Sequence, residues 1–246
     1  MANSDDAAVA ADIAENAGKL LLLARSSGLL QGKSLGVAGD LISNAFITTI
    51  LRQSRFEDGL LSEEEKDNDV RLAKQRVWVV DPLDGTREYS ENRTDWAVHV
   101  ALVIDGVPVA CAVGMPGLGL TFSTAKPPPL APPPPGRPRI VISRTRPPEV
   151  AHKVAELLGG ELFQMGSAGA KAMAVLRGEA HAYVHAGGQY EWDSAAPAGV
   201  AAAAGLHVSR LDGSPLRYNQ PDPYLPDLVI CRPELAEGIL KAIKEG

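Results

Sequence analysis

The chain lacks most of what would mark it for export, a bilayer or nucleic acid. Its 246 residues carry 24 Lys and Arg against 30 Asp and Glu, a formal net charge of −6 with no basic block. That argues against a broad nucleic-acid surface but leaves room for a local basic pocket that takes a small anion. There are only two cysteines, Cys111 and Cys231. They have neither zinc spacing nor a disulfide framework, suit a reducing cytosol and read as small core residues. The start, "MANSDDAAVAADIAENAGK", has no basic leader before an apolar run, and the run Leu20 to Leu23 is far too short to span a bilayer. A cytoplasmic protein with no membrane and no nucleic-acid partner is expected. No internal repeat is evident. The histidines, His99, His152, His181, His185 and His207, offer no metal-ligand pair beyond His181 and His185. Those two read as ordinary strand residues, although His185 is close enough in sequence to the chemistry described below to touch a substrate.

What is present is core material. At 45% hydrophobic, a chain of this length can bury one large domain or two small ones that share an interface. Ala7 to Arg25 reads as an amphipathic helix, with Val9, Ile13, Ala17, Leu20 and Leu21 at 3- and 4-residue spacing. Asp40 stands just before "LISNAFITTIL" and is placed to cap a second helix ending near Arg55. An acidic loop, "SEEEKDND", follows. Further on, "DWAVHVALVIDGVPVACAVGMPGLGLTFS" is Val-rich and punctuated by Asp105-Gly106 and Pro116-Gly117, the pattern of an antiparallel meander. Eight prolines lie between Lys126 and Arg139, a segment that favours polyproline II and cannot continue a sheet interior. Beyond it, strand and helix patterns alternate: "RIVIS", Pro148 to Leu158, "ELFQM", Ser167 to Arg177, "HAYVHA", a helix after Asp193, "LHVSRL", "DLVIC" and a last helix from Pro233. The expected division is an α+β half over 1–125, a proline-rich linker over 126–138 and an α/β half over 139–246.

One stretch, "VWVVDPLDGTREY", carries the chemistry. The buried-strand pattern Val77 to Val80 runs into Asp81 and Asp84, and the ends of buried strands are where sheets commonly present ligand groups. Pro82 fixes the turn, Gly85 lets the backbone approach a ligand, and Thr86 can open a short helix. Two carboxylates this close repel unless protonated or shared by a cation, and oxygen-only ligands suit a hard ion such as Mg²⁺. Alternatively "DPLDG" is simply good turn chemistry. An aspartyl-phosphate mechanism needs D-x-D-x-T, and the spacing here is D-x-x-D-G-T.

The stretch "WVVDPLDGTREY" resembles the signature of the inositol monophosphatase family, magnesium-dependent and lithium-sensitive phosphatases. Asp40, Glu63-Glu64, Asp81-Pro82-Leu83-Asp84-Gly85-Thr86 and Trp192-Asp193 supply its parts in order over nearly the whole chain. The resemblance implies a layered αβαβα sandwich of the sugar-phosphatase type. It also implies a phosphoric monoester hydrolase using two or three Mg²⁺, and a small phosphorylated substrate. The implied metal ligands are Glu63, Asp81, the Leu83 carbonyl, Asp84 and Asp193. Glu63 and the pair Asp40 with Thr86 would orient and deprotonate the attacking water. Capping remains an alternative for Asp40 and for Asp193, and Glu64 and Glu65 read as solvated. The sequence leaves the oligomeric state open, and homodimers are common in the family.

Within the family, "DGTREY" and "EWD" are more similar to the CysQ branch, the 3′-phosphoadenosine-5′-phosphate phosphatases of sulfur metabolism, than to the inositol branch. "GSAGAKAMAVLRGEAHAYVHAGGQYEWDSAAPAGV" resembles actinobacterial members of that branch. Substrate contacts are then expected from Gly85, Thr86, Arg87, Gly166, Ser167, Lys171 and Glu191. The helix-opening N–H groups of Gly166 to Ala168 would meet the sugar or a second phosphate. The alternatives are a solvent-facing Lys171 and an Arg87 paired with Glu88 or Glu91. The approach to Asp40, "LGVAGD", and Gly205-Leu206 depart from the family pattern. An inositol-1-phosphate or fructose-1,6-bisphosphate phosphatase is the alternative, and a non-catalytic scaffold recruiting partners through its prolines is the rival of another class.

Overall fold

In a computed structural model, residues 4–245 are described; the first three residues of the start read above lie outside them. The chain forms five layers of alternating helix and sheet. Strands β1 (Gly59–Ser62), β2 (Arg76–Asp84), β3 (Ala97–Ile104), β4 (Val107–Met115) and β5 (Leu120–Ser123) make one sheet in sequential order. Only the β1–β2 pairing is parallel; β2 to β5 pair antiparallel, and β3 to β5 are the meander the Val-rich pattern predicts. The second sheet has the order β7-β6-β8-β10-β9, from β6 (Arg139–Ser143), β7 (Glu161–Met165), β8 (Ala182–Ala186), β9 (His207–Ser209) and β10 (Asp227–Cys231).

Period-two alternation builds two cores from single strands. Val77 and Val79 of β2 face the middle layer, whereas Trp78 and Val80 face the first helix layer. With both faces covered, β2 from Val77 to Val80 and β3 apart from His99 are apolar on both faces rather than alternating. The first layer is α1 (Ser4–Ser26) and α2 (Gly32–Ser54). The middle layer is α5 (Ala168–Leu176) and α6 (Glu191–Ala203), pressed between the sheets. That position explains their composition: a Cβ at Gly199 would collide with Cys111 Sγ, and small residues let helices sit close to a sheet on each side. The outer layer, α4 (Glu149–Leu157) and α7 (Ala236–Glu245), covers Ile140, Ile142, Val184 and Val229.

Two helix boundaries differ from the sequence expectation. Helix α2 opens at Gly32, so Asp40 lies inside it and caps nothing. Gly36 and Gly39, which weaken helix propensity, pack instead against Thr86 and Ser90 and against Leu83 and Tyr89; they allow close approach to the short helix α3 (Thr86–Ser90). Helix α6 opens at Glu191, which puts Pro197 in its second turn rather than its first. The proline-rich segment joins β5 to β6 mostly exposed, pinned where Ala131 N donates to Leu176 O and Arg232 donates to Ala131 O.

Candidate active site

The aspartates of β2 reach one cleft because the strand is bulged. Asp81 continues the inward phase of Val77 and Val79; three residues on, Asp84 would face the opposite side of a regular strand. Between the two the β2–β3 register shifts, pairing Asp81 with His99 but Asp84 with Ala97, and the irregularity turns Asp84 inward as well. Asp81 Oδ1 then accepts from Leu83 N at 3.0 Å, closing the turn. Because β1 runs parallel to β2, its continuation brings Glu63 alongside, with Glu63 N donating to Val80 O at 3.3 Å. Asp193 arrives from the first turn of α6, fixed by a hydrogen bond from Tyr190 N at 2.7 Å. Carboxylate oxygens of Asp81, Asp84 and Asp193 lie within 4.8 Å of one another, and Glu63 lines the same cleft.

Electrostatics separates these acids. Burial pushes Asp81 well above the usual carboxylate range, and the charges of Glu63, Asp84 and Asp193 add to it. Glu63 keeps an outer edge in solvent. Partial desolvation pushes it up to about 7; a hydrogen bond with Asp81 opposes this, while Asp193 and Asp84 reinforce it. Asp193 is pushed up to about 6 by desolvation and then by Asp84. Asp84 differs: burial would raise it, but the His99 imidazolium, Lys171 and the Ser167 hydroxyl hold it at about 2. His99 Nδ1 donates to Trp192 O at 3.0 Å, and its Nε2 lies 3.2 Å from Asp84 Oδ2. An all-oxygen cluster whose members resist ionising together fits a hard divalent cation, which would relieve the repulsion.

The N-terminus of α5 does something other than meet a substrate. Ser167 Oγ, Ala168 N and Gly169 N all donate to the Asp84 carboxylate, at 2.5, 3.1 and 2.7 Å. Gly166 N donates to Asp95 at 2.7 Å. These donors hold the acidic turn against the helix and are not free for the sugar. Lys171 is buried rather than facing solvent. Its ammonium donates to the Gly166 and Ser167 carbonyls, and desolvation lowers it to about 8 despite the nearby carboxylates.

Asp40, half-buried, sits with its Oδ1 3.2 Å from Thr86 Oγ1, which is also 3.2 Å from Leu83 O. Desolvation, then Glu64, raises the Asp40 carboxyl to about 7 against the Thr86 hydrogen bond. Glu191 lies outside the cleft lining: its two oxygens accept from Asn219 N and Gln220 N, both at 2.7 Å, so it braces a loop. Arg87 does not pair with Glu88 or Glu91, which Arg144 holds at 2.7 and 2.5 Å. It lines instead an adjoining groove with Arg146, and neither guanidinium has an ion-pair partner among the described residues.

Sequence reading missed His99, Arg144, Arg146 and Gln189. His99 was within reach, since a meander places it across from Asp81 on the inward phase. Arg144 and Arg146 follow the end of "RIVIS", the same strand-end position that drew attention to Asp81.

Comparisons with known proteins agree with this geometry. Residues 3–246 match the inositol monophosphatase family. The chain is 51% identical to the 3′-phosphoadenosine 5′-phosphate phosphatase of Mycobacterium leprae, over 98% of this chain and 94% of that protein. It is 52% identical to the enzyme of the same name from Mycobacterium bovis, over 94% and 90%. Among solved structures, CysQ from Bacteroides thetaiotaomicron superposes with a TM-score of 0.81 at 27% identity, covering 93% of this chain and 97% of that one.

Proposed function

This chain belongs to the inositol monophosphatase family, and we propose on that footing that it hydrolyses the 3′-phosphate of 3′-phosphoadenosine 5′-phosphate in the cytoplasm, as part of sulfur metabolism. The carrying observation is the convergence of Glu63, Asp81, Asp84 and Asp193 beside two guanidiniums, Arg87 and Arg146, that have no ion-pair partner among the described residues. The acids suit a metal-assisted attack on one phosphate, and the arginines suit an anion elsewhere on the same substrate. Two such anionic groups on one small molecule describe a nucleoside bisphosphate better than a monophosphate.

Two or three Mg²⁺ ions held by Glu63, Asp81, the Leu83 carbonyl, Asp84 and Asp193 would supply Lewis acidity, neutralising phosphate charge and acidifying water. The chain's own groups handle the proton. A water hydrogen-bonded to Thr86 Oγ1 passes its proton to that oxygen as the Thr86 hydroxyl proton moves to Asp40, whose carboxyl near 7 suits a base at neutral pH. Glu63, which lines the same cleft, would help to orient that water. The water oxygen attacks phosphorus in line, the P–O3′ bond breaks, O3′ takes a proton from solvent water, and adenosine 5′-phosphate and inorganic phosphate leave without a phosphoenzyme. Ser167, Ala168 and Gly169 keep Asp84 oriented throughout.

Phosphate release from 3′-phosphoadenosine 5′-phosphate, inositol 1-phosphate and fructose 1,6-bisphosphate, each with Mg²⁺, tests the reading. The bisphosphorylated nucleotide should be turned over fastest; a clear preference for inositol 1-phosphate would replace it with the inositol branch.

A further inference from the structure

The cleft that the carboxylates line also holds two buried acceptors with no donor. His185 on β8 is only 3% exposed, and its Nε2–H donates to Gly187 O at 2.7 Å, so Nδ1 carries a bare lone pair. That Nδ1 has no hydrogen-bond partner. Burial and the nearby Lys171 hold the ring neutral, with its pKa down at about 4. Gln189, 5% exposed, spends its amide NH₂ on Tyr183 OH at 2.8 Å, and its Oε1 is likewise without a partner. Both side chains line the same cleft as Asp84 and Asp193. Lys171, the donor at hand, is turned to the Gly166 and Ser167 carbonyls instead.

A buried acceptor left without a donor is costly, and two in one ligand-facing wall call for donors on the ligand. Phosphate oxygens are acceptors and would be repelled there; a hydroxyl would be taken. Resting on the reading above, with the scissile phosphate at the carboxylates, the group beside it is the ribose 2′-hydroxyl. We propose that His185 Nδ1 and Gln189 Oε1 are specificity-determining acceptors for sugar hydroxyl donors, so that the cleft selects ribose over deoxyribose leaving groups. Sites built to hydrogen-bond a substrate hydroxyl reject analogues that lack it far more strongly than apolar pockets do.

The test compares kcat/KM for adenosine 3′,5′-bisphosphate and its 2′-deoxy counterpart, in the Mg²⁺-loaded enzyme and in the His185→Phe and Gln189→Met variants. The natural protein should favour the ribonucleotide by about 10-fold or more, and both variants should bring that ratio toward one. Equal turnover of the two nucleotides by the natural protein, or an unchanged ratio in both variants, overturns the proposal while leaving the 3′-phosphatase reading intact. Turnover of neither nucleotide removes that reading and the proposal together. If His185→Phe fails to fold, the natural protein's ratio and Gln189→Met decide.

Discussion

The two walls of the cleft solve opposite electrostatic problems. The wall from the first sheet gathers acids: Glu63 and Asp81 come from neighbouring strand ends, and burial, reinforced by the charges of Asp84 and Asp193, drives their proton affinity up. The wall from the second half supplies cations and neutral acceptors, namely Lys171, Arg146, His185 and Gln189. Asp84 belongs to the first wall by sequence and to the second by contact, since His99, Lys171 and three donors of α5 keep it ionised. The contrast shows that spacing alone does not set a carboxylate's state. Asp81 and Asp84 are three residues apart on one strand, yet their pKa values move in opposite directions.

Breaking the joint between the walls should have the largest effect. Asp84→Asn keeps the size of the side chain but removes a charge on which both walls depend, and kcat should fall by about 1000-fold or more. Steady-state phosphate release from a variant with native circular dichroism checks it; near-normal turnover would mean Asp84 is no ligand. Lys171→Met preserves bulk but removes the buried donor to the Gly166 and Ser167 carbonyls and a cation whose field helps to keep Asp84 ionised, and should cost about 1–3 kcal/mol of stability, read from the shift in urea midpoint. A variant as stable as the natural protein would show that His99 and the α5 donors balance Asp84 unaided.

The neutral wall can be probed by pH. The folded-state pKa of His185 is depressed to about 4, so the folded state favours the neutral ring. Its contribution is fully present above the unfolded-state value of about 6.5 and is lost as pH falls toward the folded value, up to about 3 kcal/mol in all. Urea midpoints for the natural protein and His185→Phe, measured from pH 7 to pH 4, should converge on acidification; parallel curves would contradict a depressed pKa. The smallest effect is expected at the cleft mouth. Arg146→Ala should raise KM for the nucleoside bisphosphate by about 10-fold, with adenosine 3′-phosphate little affected. Equal losses on both substrates would assign Arg146 a role unrelated to a second anion.

Local pattern was a good guide wherever neighbours in sequence decide the outcome. The meander, the alternating second half and the strand running into "DPLDG" were all legible, because strand period and turn chemistry are short-range. The reading failed where a distant surface overrode propensity. Asp40, a capping residue type before an apolar run, reads as the start of α2, yet the helix opens at Gly32 and runs through Gly36 and Gly39, which are small so that α3 can pack close. Glu191 looked like a pocket residue by its place beside Trp192-Asp193; the loop at Asn219 and Gln220 claims it instead.

By itself the sequence determined which acids stand at strand and helix ends, since this follows from order and periodicity along the chain, and the resemblance its motifs carry implied the family and the layered fold. Only the tertiary structure decided which acid is ionised, which cation is buried and which acceptors are left without a donor. Those properties depend on desolvation and on charges within a few ångströms contributed by segments such as β3, α5 and β8 that lie far away in sequence.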